Sequence, residues 1–252
     1  MKKIFGILAV GALMLTSCLG DGDSTPKGYI ADFSTVDIAT GGYACYMDNG
    51  YTVVLNSTSF STPLKPGQRL HVTVAAASDI ITGMVNKTLD PKQNITDVDL
   101  MDVQGVDVKN FLTQEQAEAQ HLLEKDSLSA IYAISTQVAN GYLSTICFPY
   151  FYRGTTVISP TLNAIMNYDE NKKEVFVKFI SNSHVPADKQ QLLSYDTNAF
   201  LLNSFNTTSL ANEISRDFAA TDSITMNFEY STKDKTETRR HKFVAKSLFR
   251  VK

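Results

Sequence analysis

Short runs of alternating apolar and polar residues dominate the first part of the chain and predict β-strands. Asn49-Gly50 stands between two strand-like runs, an arrangement typical of a tight hairpin. Residues 80–85 and 95–108 are predicted to form further strands. The clearest alternation is formed by Leu70, Val72 and Val74. About five strands without a long helix predict a small OB-like β-barrel domain over residues 28–110.

The second half repeats this pattern over residues 127–252. Asn140-Gly141 predicts another hairpin. In the run 174–181, one set of alternate residues should face a core and the other solvent. Val175, Val177 and Phe179 form one set, and Phe176, Lys178 and Ile180 form the other. Roughly seven strands with turn signals between them predict an antiparallel β-sandwich, and the chain as a whole is predicted to be all-β.

Two helices are expected in this β-rich chain. Thr113 and Gln116 have the spacing of a capping box, which places a helix start before residues 115–125. Because this helix follows the first strand set, residues 111–126 are interpreted as a linker helix that joins the two domains. A second short helix is predicted where Leu210, Ile214 and Phe218 recur every four residues.

The N-terminus has the pattern of a secretory signal. Lys2 and Lys3 precede a short apolar run, which ends at Leu15-Thr16-Ser17-Cys18. This ending is similar to a bacterial lipobox, so residues 1–17 are predicted to be a lipoprotein signal peptide and Cys18 the lipidated residue. Residues 18–27 then form a flexible tether to the membrane. The alternative is an ordinary secretory signal that contains a cysteine.

The residues directly after Cys18 indicate in which membrane, and on which side of it, the protein is located. Leu19 follows the cysteine where an aspartate would mark inner-membrane retention, so we expect an outer-membrane anchor. The stretch Gly20-Asp21-Gly22-Asp23 is similar to the acidic tract of surface-exported Bacteroidetes lipoproteins, and equally compatible with a plain solvated tether. The cell surface and the periplasmic face therefore both stay open.

Charge and cysteine content narrow the class of protein further. The formal net charge of −3 disfavours nucleic acid as a partner, since nucleic-acid binding requires a basic patch or stripe. Cys45 and Cys147 lie in separate strand-like segments. Two separate core thiols are the favoured interpretation, with a disulfide between them as the alternative.

The order of several short motifs resembles the NigD-like lipoproteins of Bacteroidetes. These motifs are Gly67-Gln68-Arg69-Leu70, Gly141-Tyr142-Leu143, Thr161-Leu162-Asn163, Glu174-Val175-Phe176-Val177-Lys178-Phe179 and Asp222-Ser223-Ile224-Thr225. The resemblance covers nearly the whole chain. It implies a lipid anchor, an N-terminal OB-like domain and a C-terminal β-sandwich. It implies no established reaction, and the family's bacteriocin-associated name hints at an accessory role.

No catalytic or cofactor motif is found. The four histidines show no metal-ligand spacing, and the chain has no nucleophile motif and no phosphate-binding glycine loop. We therefore expect no cofactor, no metal site and no catalytic residue. A hydrolase with dispersed carboxylates remains an alternative, because two acids can meet only in the folded protein.

Two kinds of candidate site remain. The aromatic stretch ending in Tyr150, Tyr152 and Arg153 is a candidate binding platform, although a strand there would turn half of its side chains into the core. Ser24, Ser127 and Ser223 each follow an aspartate, as in the short O-glycosylation motif of Bacteroidetes envelope proteins.

These features predict a non-enzymatic envelope lipoprotein that binds a glycan or a protein partner. The alternative is an accessory or immunity-type factor that acts on an envelope or export machine.

Overall fold

The structure, a computed structural model, describes residues 27–123, 127–129, 131–152, 161–181, 184–186, 193–194, 199–232 and 235–249. These residues belong to two compact units, of which the first ends at Val106 and the second begins at Asp107. Strands dominate both units and the helices are short, which confirms the all-β class. Within the described ranges, no helix has both the length and the apolar character needed to cross a membrane.

The first unit is one six-stranded sheet. In chain order its strands are β1 (Lys27–Ala39), β2 (Gly42–Met47), β3 (Thr52–Asn56), β4 (Arg69–Ala77), β5 (Asn94–Ile95) and β6 (Asp99–Gly105), and their order in the sheet is β5-β3-β2-β1-β4-β6. The long β1 pairs with β4 along its first part and with β2 along its last part. The two edge strands, β5 and β6, are almost consecutive in the chain. No hydrogen-bonded pair joins them in the described structure, so this sheet is open there and the closed form of a barrel is not seen.

The turns predicted in this unit are present. Asn49-Gly50 joins β2 to β3, with Tyr46 opposite Thr52 and Gly50 at a φ of 97°. Leu70, Val72 and Val74 on β4 are all buried, as their alternation predicted. Cys45 lies in the hydrophobic core of this unit as a free thiol.

The prediction of strand structure over residues 80–85 was wrong. This segment belongs to helix α1 (Ser78–Val85), which buries Ile81 and Met84, three residues apart on one face. Ile81 packs directly over Gly28 of β1, where an added Cβ would lie 3.1 Å from the isoleucine side chain. Packing against β1 therefore outweighs the β-propensity of the local sequence, as tertiary context commonly does.

A buried charged cluster stabilises the turn between β2 and β3. The Arg69 guanidinium forms an ion pair with Asp48, and both side chains are inaccessible to solvent. The buried carboxylate of Asp32 accepts hydrogen bonds from the backbone N–H groups of Phe33 at 2.8 Å and Asn49 at 2.7 Å. Burial, together with the charge of Asp48, raises the pKa of Asp32 to about 7.

The second unit contains twelve described strands. They are β7 (Asp107–Asn110), β8 (Ser127–Ser129), β9 (Ile131–Ala139), β10 (Tyr142–Pro149), β11 (Phe151–Tyr152), β12 (Leu162–Asp169), β13 (Glu174–Ser181), β14 (His184–Pro186), β15 (Leu193–Ser194), β16 (Leu201–Asn206), β17 (Ser223–Ser231) and β18 (Thr236–Val244). Two four-stranded sheets have the orders β7-β16-β10-β9 and β12-β13-β17-β18, and two short pairs are β11-β15 and β14-β8.

The two four-stranded sheets bury one shared apolar core, as expected of a sandwich. Val175, Val177 and Phe179 of β13 face this core and are almost fully buried. Cys147 of β10 lies in the same core as a free thiol. Most strand pairs are antiparallel, but β13 pairs in parallel with β17, and β16 with β7. The two parallel pairs correct the prediction of a wholly antiparallel sandwich.

Both predicted helices are present, in shorter form. Helix α2 (Gln114–Ala119) begins with the predicted capping box and ends where His121 adopts a φ of 56°. There the N–H groups of His121 and Leu122 donate to the carbonyls of Glu118 and Ala117, as in a Schellman motif. Helix α3 (Thr208–Ile214) buries Leu210 and Ile214, whereas Phe218 lies beyond its end.

Helix α2 belongs to the second unit and packs there. Ala117 forms a small buried cluster with Ile165 of β12 and Ile180 of β13, on the outer face of the β12-β13-β17-β18 sheet. This contact buries Ile180, whereas Phe176 and Lys178 on the same face of the strand are exposed.

Candidate functional site

The second unit has an open cleft of about 560 Å³, which lies within the usual size range of small-molecule sites. It is formed by the end of β7 and the segment after it, helix α2, strand β12, the end of β16 and helix α3. The lining residues are Asn110, Phe111, Leu112, Thr113, Gln116, Met166, Asn167, Tyr168, Asn206, Ser209 and Glu213. Amides, hydroxyls and one carboxylate thus share the lining with an apolar surface of similar extent.

Two asparagines lie side by side at one wall of the cleft. Because β7 and β16 are parallel, the last register position of the pair places Asn110 next to Asn206. Both side chains therefore leave the sheet at the same end. Asn110 is exposed and Asn206 is half-buried.

Local hydrogen bonds orient two of the amide groups. Asn206 Oδ1 accepts from the backbone N–H of Thr208 at 3.0 Å and from its hydroxyl at 2.7 Å. Gln116 Oε1 accepts from the backbone N–H of Thr113 at 2.9 Å, as part of the capping box of α2. Since the oxygens are used in this way, the NH₂ groups of Asn206 and Gln116 are the parts that can donate to a ligand.

The apolar part of the cleft is rigidly supported. The ring of Phe111 stacks on that of buried Phe205, with the centroids 5.4 Å apart. Tyr168 is buried, and its hydroxyl donates to Asp217 Oδ2 at 2.8 Å. Burial and then this carboxylate raise the pKa of Tyr168 to about 12, so the phenol keeps its proton and its contact to Asp217 at neutral pH.

The chemistry of this lining is suited to binding. Glu213 adds an acceptor to the amide donors, and Phe111 adds an aromatic ring to the lining. Among the described lining residues, Glu213 is the only carboxylate. Glycoside hydrolysis by the usual mechanism requires a pair of carboxyl groups flanking the bond, so the cleft gives no support to the hydrolase alternative.

A search for clustered metal ligands, confined to the described residues, finds no group of three or more His, Cys, Asp and Glu side chains.

The described part of the aromatic stretch predicted as a platform does not line this cleft. Tyr150 is half-buried and meets exposed Tyr132 edge to face, with ring centroids 5.8 Å apart. Tyr152 ends β11, whose backbone pairs with β15, and Arg153 lies outside the described residues. The platform at Tyr150, Tyr152 and Arg153 stays a prediction.

The predicted modification sites are distributed along the chain. Cys18 and Ser24 precede the described residues. Ser127 begins β8, and Ser223 is the exposed first residue of β17. Ser223 is therefore accessible, and O-glycosylation at all three serines remains a prediction.

The sequence did not reveal the cleft residues. Asn110, Asn167 and Asn206 stand in unrelated segments, and only the strand pairing and the cleft bring them together. The only local signal is Asn206-Thr207-Thr208 before the helical pattern, and it is typical of a helix start.

Comparison with known proteins gives relatives only at the level of structure. No protein-family model matches the chain, and no curated protein matches it significantly. The fold is similar to that of a protein from Parabacteroides distasonis described as toxin-related, with a TM-score of 0.54, 15% identity, and coverage of 87% of this chain and 95% of that one.

Two further solved structures show the same likeness. A Bacteroides fragilis protein described as a lipoprotein has a TM-score of 0.52 and 10% identity, over 86% of this chain and 98% of that one. A NigD-like immunity protein from Bacteroides caccae has a TM-score of 0.50 and 15% identity, over 85% of this chain and 96% of that one. Identities this low establish the fold alone. The resemblance to the NigD-like proteins is thus confirmed in structure, and the chain has their fold.

Proposed function

We propose that this protein is a non-enzymatic binding module of the bacterial envelope, and that it holds a neutral glycan in the cleft of its second unit. The observation that carries the proposal is the placement of Asn110, Asn167 and Asn206 around one cleft with an apolar ring face, Phe111. Aromatic faces and convergent amide side chains are both complementary to sugar rings.

The hydrogen-bonding capacity of the cleft supports a polyhydroxylated ligand. Each sugar hydroxyl can donate and accept, and the cleft offers both partners. The NH₂ groups of Asn206 and Gln116 donate, while the Glu213 carboxylate accepts. A buried polar group of the ligand costs free energy when it has no hydrogen-bond partner. A site that pairs every such group avoids this penalty.

Charge supports a neutral ligand over an acidic one. Two acidic side chains are close to the site: Glu213 lines the cleft, and Asp217 accepts the hydrogen bond of Tyr168. The described lining contains no lysine or arginine. An anionic sugar would therefore meet like charge without a compensating cation. We expect uronic acids and sialic acids to bind poorly.

The envelope assignment is supported by two independent observations. The sequence predicts a lipid anchor at Cys18, and one protein of similar fold is described as a lipoprotein. We propose an outer-membrane anchor, with the folded units on the cell surface or the periplasmic face.

A glycan-binding titration tests the proposal. The purified protein is titrated with neutral oligomers of β-1,4-glucose, α-1,4-glucose, α-1,6-mannose and β-1,4-N-acetylglucosamine, from one to six sugar residues, and with oligogalacturonate as the acidic comparison. We expect at least one neutral series to bind and oligogalacturonate not to bind. Failure of every neutral oligomer to bind would overturn the proposed function.

A second candidate function is an accessory or immunity-type role. It is favoured by the fold likeness to a NigD-like immunity protein and to a protein described as toxin-related. Crosslinking in intact cells separates the two roles. Capture of one defined envelope protein, combined with no glycan binding in the titration, would favour the accessory role.

A further inference from the structure

A second depression lies next to the cleft, on the outer face of the β12-β13-β17-β18 sheet. Its volume is about 320 Å³, and Asn167 lines both it and the cleft. Strand β12 is an edge strand of its sheet, and the segment at Leu112 bridges it at Ile165, two residues before Asn167. The two depressions therefore meet at Asn167.

The register of three strands builds a flat row of side chains in the second depression. Asn167 of β12 lies opposite Phe176 of β13, which lies opposite Asn227 of β17. Residues at such positions point to the same face on strands about 4.8 Å apart. Phe176 is 36% exposed, which is unusual for a phenylalanine. We refer to Asn167, Phe176 and Asn227 as the outer platform.

Helix α2 explains why this row stays open. The helix covers the outer face at Ile165 and Ile180, and both side chains are buried there. The cover does not extend over Phe176, and Gln114 at the start of α2 lines the depression beside it. The aromatic ring is therefore left uncovered between the helix and the polar residues of β17.

The charges beside the outer platform are balanced within the protein. Lys178 pairs with Glu229 at 3.4 Å, and Lys172, which lies 5.9 Å from the Phe176 ring centroid, pairs with Asp169 at 3.1 Å. These ion pairs leave little net charge to attract an anion or a cation. A neutral ligand that contacts the ring displaces only the exposed Lys172 side chain.

Hydrogen bonding orients one amide of the outer platform. Asn227 Nδ2 donates to Glu174 Oε2 at 3.0 Å, and Glu174 in turn forms an ion pair with Arg240. Asn227 Oδ1 is therefore the atom that can accept a hydrogen bond from a ligand hydroxyl beside the ring.

We infer that the outer platform is a second subsite of the same binding site, and that the ligand is a linear neutral oligosaccharide. One sugar residue occupies the cleft, the chain passes the β12 edge at Asn167, and a further residue stacks on Phe176. This inference rests on the proposed function and adds to it a requirement for glycan length.

The inference predicts a specific dependence of affinity on oligomer length. In the series that binds, the affinity of the native protein should rise about tenfold or more from the monosaccharide to the longest oligomer, as one aromatic stacking contact allows. Phe176→Ala and Phe176→Leu should remove this increase and leave monosaccharide affinity unchanged. Phe176→Tyr should retain it. Phe249→Ala, which removes an aromatic side chain of similar exposure outside both depressions, is the matched control.

The outcomes are distinguishable. If oligomers bind and both Phe176→Ala and Phe176→Leu keep the native length dependence, this inference is overturned while the proposed function stands. If the affinity of the native protein does not depend on oligomer length, the inference is also overturned and the proposed function still stands. If no neutral glycan binds at any length, the proposed function and the inference fail together.

Discussion

Asn110 and Asn206 are direct neighbours on the parallel strands β7 and β16, although they lie far apart in the sequence. This pairing places two carboxamide groups at one wall of the cleft. Their roles differ, because Asn206 also accepts hydrogen bonds from Thr208, the first residue of helix α3, whereas Asn110 is exposed at the end of its strand. Asn110 is therefore the better position at which to test binding without disturbing the fold.

Asn110→Ala should weaken binding of the neutral glycan about three- to tenfold, as expected for the loss of one net hydrogen bond. The midpoint of thermal unfolding should stay unchanged. Asn212→Ala is the matched control, since Asn212 is exposed on α3 and does not line the cleft. Equal affinities for the native protein and the Asn110 variant would show that the ligand does not bind at this wall.

The buried Asp32 should make the stability of the protein depend on pH. Its pKa is about 7 in the folded state and 3.8 in an unperturbed chain, so the folded protein binds the proton more tightly. The stabilisation from this proton is fully present below the unfolded pKa and is lost as the pH rises through the folded pKa. Between about pH 4 and pH 7 the contribution of Asp32 to the free energy of unfolding falls by about 1.4 kcal/mol per pH unit.

Asp32→Asn should remove this slope, whatever its effect on stability at a single pH. The measurement is chemical denaturation of both proteins at several pH values between 4 and 8. Asp37→Asn is the control, because Asp37 is exposed on the same strand and also accepts a hydrogen bond from the next backbone N–H. A native-like slope in the Asp32 variant would contradict the assignment.

Gly42 is required by a close approach of two backbones. A Cβ at this position would clash with the carbonyl oxygen of Leu55, whereas a Cβ at Gly105 on β6 would meet no atom within 4 Å. Gly42→Ala should therefore destabilise the protein by about 1–3 kcal/mol or more, as overpacking does. Gly105→Ala should leave the denaturation midpoint almost unchanged. Equal midpoints for the two variants would rule out this contact.

Lipidation at Cys18 predicts where the protein is found in the cell. Cys18→Ala should abolish incorporation of labelled palmitate and move the protein from the membrane fraction to the soluble fraction, because the acyl chains supply the membrane affinity. Cys45→Ala is the control, since Cys45 is buried in the first unit and should not be lipidated. Retention of label in the Cys18 variant would contradict the prediction.

Protease treatment of intact cells then tests on which side of the outer membrane the folded units lie. Digestion of the folded units on intact cells would place them on the surface and support Asp21 and Asp23 as part of an export signal. Protection until lysis would place them in the periplasm.

Much of the secondary structure could be predicted because it depends on neighbouring residues. The Asn49-Gly50 and Asn140-Gly141 turns, the capping box at Thr113 and the alternate core-facing residues of β13 all follow from local backbone preferences and alternation. The segment of α1 is the exception. Its β-branched residues favour a strand, and only packing of Ile81 over Gly28 stabilises a helix there.

The sequence alone determined the all-β class and most of the local turns, because each of these depends on periodicity or on a few adjacent residues. The likeness to the NigD-like fold came instead from the resemblance of several short motifs in the same order. The tertiary structure decided the parallel pairings of β7 with β16 and of β13 with β17, which join segments distant in the chain. It thereby also decided the candidate site. Asn110 and Asn206 meet at one wall of the cleft only through the pairing of β7 with β16, and no local pattern encodes a contact between distant strands.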